Sequence, residues 1–74
     1  MLFGHVKKEA VLNTVRCELN LNYQLYQKYN EMVKDLRKHE PEDSIAIKQY
    51  AEFSDSFFAR YVMCKELMTR LEKL

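Results

Sequence analysis

Two stretches of the chain repeat apolar residues at alternating steps of three and four. Leu12, Val15, Leu19, Asn22, Tyr26, Tyr29, Val33 and Leu36 make the first series. Ile47, Tyr50, Ser54, Phe57, Tyr61, Cys64, Met68 and Leu71 make the second. This alternation is the seam of a left-handed coiled coil, kept for about four heptads in each arm. The only punctuation between them is His39-Glu40-Pro41-Glu42-Asp43-Ser44. Lys34, Arg37 and Lys38 precede it, where the negative end of a helix dipole favours cations. Pro41 suits a first helical position, and the acids after it suit a first turn. Stop signals followed at once by start signals predict an all-α, antiparallel two-helix hairpin. The helices are expected at about 6–38 and 43–73, in a single domain spanning 1–74.

Both stripes are wider than a two-helix seam needs. Val11, Leu25 and Met32 flank the first, and Ala51, Phe53, Phe58, Val62 and Leu67 flank the second. At about 100° per residue the second helix is apolar over roughly 200° of its circumference. One antiparallel neighbour covers far less, and exposed apolar surface of that extent marks an interface. A second hairpin would cover it as a four-helix bundle, and a C₂ homodimer is the simplest closed form. The expected partner interface is Phe53, Phe57, Phe58, Tyr61, Val62 and Leu67. Phe58→Asp or Val62→Asp should then weaken self-association more than Glu52→Ala. The arrangement resembles the general class of two-helix hairpins that dimerise into four-helix bundles, which includes a plasmid copy-control type of RNA-binding protein. The likeness is architectural and carries no residue across.

If the arms reverse near residue 40 or 41, opposite residues sum to about 81 or 82. Tyr23, Tyr26 and Tyr29 then lie level with Phe53 to Phe58, forming one aromatic cluster midway along the hairpin. Asn22 and Ser54 are polar at seam positions. A buried Asn there fixes register at a cost in stability, and a slightly rotated helix would leave it at the rim. Cys17 and Cys64 fall at matching heights, but Cys17 lies about 150° from the centre of its stripe. They are expected to stay reduced and unpaired. Cys17 joins Ala10 and Leu21 in a thin outer stripe, read as surface apolars or as an added partner contact.

Composition fits the same picture. The 74 residues are 47% apolar and 31% charged, with one Gly and one Pro, where average usage would give roughly five and four. That is too apolar for a disordered chain and short of turn chemistry. No run approaches the roughly 18–20 residues of a membrane span, and Met1–Phe3 is far too short for a signal peptide. A cytoplasmic location with free thiols is therefore expected. Residues 1–38 carry seven Lys/Arg and four acids, and residues 39–74 five and seven. Halves of opposite sign can pack without repulsion, while a net charge of +1 gives no general pull toward nucleic acid or membrane.

Candidate chemistry is thin. His5 and His39 stand near opposite ends of the first helix. Asp35 and His39 are two ligands, not a site, and neither cysteine has ligand spacing. The Glu-x-x-His pair of di-iron bundles is absent. One glycine cannot build a phosphate loop. The acids fall on polar faces, with Glu66 and Arg70 spaced as an i, i+4 pair. Arg60, Lys65, Arg70 and Lys73 point in four directions, whereas phosphate binding wants cations gathered on one face. No enzymatic function, cofactor or metal is expected. The leading reading is a non-enzymatic protein–protein interaction module, a regulator, adaptor or inhibitor that self-associates or docks on a larger protein. The alternative is a dimeric nucleic-acid-binding regulator of the small two-helix bundle type.

Overall fold

Alternating three- and four-residue spacing produces two helices, α1 from Leu2 to His39 and α2 from Ile45 to Glu72. The computed structural model describes residues 2–74, with side chains from Lys7 onward. The helices lie antiparallel in a rod of 58 × 14 × 13 Å, as a helix of 38 residues rising about 1.5 Å each requires. No strand occurs among the described residues, and α1 runs unbroken through Asn20 and Asn22. It also begins four residues before the expected start. Gly4 weakens a helix by only about 1 kcal/mol relative to Ala, less than is needed to stop one.

The connection spans residues 40–44, and it corrects the sequence reading of Pro41. Pro41 does not open α2. It ends α1, because a proline ring disfavours helical geometry in the residue before it. The Glu40 N–H still closes on Leu36 O at 2.8 Å. Ser44 N–H then donates to Pro41 O at 3.0 Å, and Lys48 N–H to Ser44 O at 3.2 Å, starting α2. The Ser44 hydroxyl bonds the Glu40 carboxylate and does not cap the helix. Glu42 and Asp43 stand before α2, whose first turn holds no acid. Arg37, Lys38 and His39 occupy the last turn of α1 as expected, where the dipole favours them.

The register drifts along the hairpin. Tyr23 faces Tyr61 and Tyr26 faces Phe58 at a sum of 84, while Tyr29 faces Phe53 at the expected 82. All sixteen seam residues are nonetheless buried or half-buried. Leu12, Val15, Val33 and Ile47 are the most enclosed of the apolar ones. Asn22 is inside, not at the rim, at 5% exposed. Its side-chain amide donates to Glu18 O at 2.7 Å. No buried side-chain polar atom among the described residues lacks a partner.

The aromatic rings form two quartets where one cluster was expected. Tyr23, Tyr26, Phe58 and Tyr61 close a ring of contacts with centroids 5.0 to 6.1 Å apart. Tyr29 meets Tyr50, Phe53 and Phe57 at 5.8, 5.5 and 5.6 Å. Those three rings surround Ser54, at i−4, i−1 and i+3 from it. Residues 50, 53, 54 and 57 are thus a hole into which Tyr29 fits as the knob. Ser54 is small enough to form its floor, and it is 3% exposed.

Charge does not clamp the helices together. The ion pairs among the described residues are Lys34–Glu31, Lys38–Asp35 and Arg37–Glu42, all largely exposed and none between α1 and α2. Such pairs contribute about 0–1 kcal/mol. Glu66 and Arg70, spaced for a pair, are not within ion-pair distance. The opposite signs of the two halves sit on outward faces, so apolar and aromatic contacts hold the hairpin.

Candidate interaction surface

The six residues expected at a partner interface are not one patch. Phe57 and Tyr61 lie on the seam, half-buried, and belong to the two ring quartets. Phe53 and Leu67 stay 49% and 46% exposed, and Phe58 and Val62 stay 44% and 38% exposed. Five residues separate Phe53 from Phe58, which turns the second about 140° from the first. With α1 laid along the middle of the apolar arc, these pairs are left on opposite flanks of the hairpin.

One flank contains Tyr23 and Phe58, members of the same quartet. Val62 lies at its outer edge. Seven-residue spacing brings Glu9, Arg16 and Arg37 of α1 and Lys65 and Glu72 of α2 to the same side. Lys65 extends its ammonium to 5.8 Å from the Tyr61 ring. Apolar residues here are islands among charges.

The other flank is more continuous. It carries Val11, Leu25 and Met32 from α1, and Phe53, Leu67 and Leu74 from α2. Leu21 and Met63 stand at equal height on its two edges, 50% and 68% exposed. Sequence reasoning passed over Met63 because it lies outside both stripes. Its signal was its position next to Leu67 once the flanks are separated. Met63 and Leu67, with Cys64, Glu66 and Arg70, line a shallow hollow on α2. The charges within its seven-residue series are Glu18 and Arg60, the latter with its guanidinium 5.4 Å from the Phe57 ring, and Glu66 and Arg70 border the hollow at its edge.

Other candidates stay apart. Cys17 is exposed and Cys64 half-buried, and both are free thiols. Ala10, Cys17 and Leu21 are exposed, as a surface stripe would be. His39 is exposed at the end of α1, and His5 lies outside the described side chains. Among the described residues no three His, Cys, Asp or Glu side chains gather in a way that could hold a metal ion. Likewise no described helix is long and apolar enough to cross a membrane. No family model, curated protein or solved structure matches this chain.

Proposed function

We propose that this protein is a small non-enzymatic interaction module that works through the apolar flanks of its hairpin. Its first occupant is a second copy of the chain, giving a homodimeric four-helix bundle in the cytoplasm. The observation that carries the reading is that Phe53, Phe58 and Leu67 remain almost half exposed after the helices have paired. Burying one large apolar side chain is worth about 1.5–3 kcal/mol. Several left wet would forgo an amount comparable with a small domain's whole stability of about 5–15 kcal/mol. Regulator, adaptor and inhibitor of a larger protein are roles such a module fills, using whichever flank the bundle leaves open. Nucleic-acid binding has less support. Base stacking needs exposed rings set in a cationic groove, whereas the exposed Phe53 and Phe58 lie on opposite flanks with acids among the cations around them.

Thermal denaturation at increasing protein concentration tests the reading. A dimer's melting temperature rises with concentration, because association is linked to folding. An apolar contact should also survive added salt, unlike a nucleic-acid complex. A melting temperature that rises with concentration, with single-stranded RNA bound in a steeply salt-dependent way, would replace this reading with the alternative, and one independent of concentration would remove the dimer from both.

A further inference from the structure

We infer that the second copy docks on the flank carrying Val11, Leu25, Phe53 and Leu67, with Leu21 and Met63 at its edges, and not on the Phe58–Val62 flank. The inference rests on the homodimer reading above and names the face that reading requires.

Three observations bear on the assignment, and the first and third separate the two flanks. The proposed flank's seven-residue series are Val11, Glu18, Leu25 and Met32 on α1 and Phe53, Arg60, Leu67 and Leu74 on α2, with one charge on each helix, while on the opposite flank five charged residues fall at the equivalent positions. A face that must lose its water excludes unpaired charge, since a buried unpaired charge is strongly destabilising. Area is the second. The paired length of α2, 28 residues, is roughly 42 Å. Two helices spaced about 8–10 Å apart present a face roughly 20 Å wide. That gives about 800 Å² per partner for either flank, the amount a specific interface normally buries.

Self-complementarity is the third. A two-fold interface places each residue i of one copy on residue j of the other, and j on i. The charges at the centre of the flank are one acid on α1, Glu18, and one base on α2, Arg60, with Glu66 and Arg70 at its edge. Neither Glu18 nor Arg60 has an ion-pair partner within the chain among the described residues. A two-fold axis along the rod lays each α1 on the partner's α2, so that all neighbouring helices run antiparallel. Leu25 then meets Arg60 of the second copy at nearly the same height, and Glu18 lies about 9 Å further along. The long arginine side chain spans most of that distance, so its stem covers Leu25 and its head turns toward the acid. The dimer holds two such pairs, each made by one copy's Glu18 and the other's Arg60. Repulsion between identical groups is avoided.

Sedimentation velocity on the full chain and four variants decides the matter. Leu67→Glu and Leu21→Glu lie on the proposed face, one on each helix. Phe58→Glu and Val62→Glu lie on the opposite flank. All four positions are at least 38% exposed, and far-UV circular dichroism at high concentration checks that each variant still folds. The first pair should raise the dimer Kd about thirtyfold or more, the loss expected on removing an interface anchor, with the second pair near the unmodified chain, which reverses the sequence expectation for Phe58 and Val62. A larger effect from the second pair, or an equal effect from both, overturns the assignment of the face and leaves the dimer standing. A monomeric unmodified chain overturns the dimer and this assignment together.

Discussion

Tyr29 and Ser54 should be coupled more strongly than any other polar–aromatic pair in the hairpin. Tyr29 meets three rings within 5.8 Å, and those rings frame Ser54, whose side chain leaves room for it. Tyr29→Ala removes all three contacts and leaves the hole empty. Each ring pair adds about 0.5–1.5 kcal/mol, and full truncation of a core aromatic costs about 3–5 kcal/mol. Because Tyr29 is half-buried, about 2–4 kcal/mol is expected. For a chain of this size that lowers the melting temperature by roughly 10–25 °C. Ser54→Leu fills the floor of the hole and pushes Tyr29 out, costing about 1–3 kcal/mol. Once Tyr29 is gone, the added leucine occupies vacated space, so the double variant should be more stable than the sum of the single losses implies. Urea denaturation at one fixed protein concentration, followed by circular dichroism, gives the four free energies. A coupling of about 1 kcal/mol or more is expected for residues sharing one cavity. Additive losses, or a Tyr29→Ala cost below about 1 kcal/mol, would show that Tyr29 does not sit in this hole.

Asn22→Leu should raise stability by about 1 kcal/mol, since an amide held in an apolar seam resists burial. The same change should broaden the range of association states, which size-exclusion chromatography would show; an unchanged elution profile with lower stability would count against a register role for Asn22. The exposed Cys17 should react with a thiol reagent well before the half-buried Cys64, and mass spectrometry of protein kept without reductant should find no bond between them. An intramolecular disulfide would mean that α1 is rotated from the arrangement described.

The seam was legible in the sequence because burial follows helical period, and each of its sixteen members is enclosed or half-enclosed. The turn was less so. Pro41 can follow a helix by ending it or by opening the next, and residue preference does not choose between them. Here it ends α1, and the opposite-residue sum runs from the expected 82 at Tyr29 and Phe53 to 84 at Tyr23 and Tyr61. The aromatic cluster was expected as one group for the same reason that the partner surface was. A stripe of 200° reads as continuous until the neighbouring helix occupies its middle, which divides both into opposite flanks. Met63 and Leu21 gained meaning only then. Asn22 could not be placed in or out of the core from spacing alone, because a modest helix rotation carries it across the boundary.

Sedimentation equilibrium of the isolated chain at micromolar concentration tests the central claim most directly. The account predicts a particle of twice the 8.9 kDa chain mass, unchanged by added salt. A stable species of 8.9 kDa at those concentrations would contradict it.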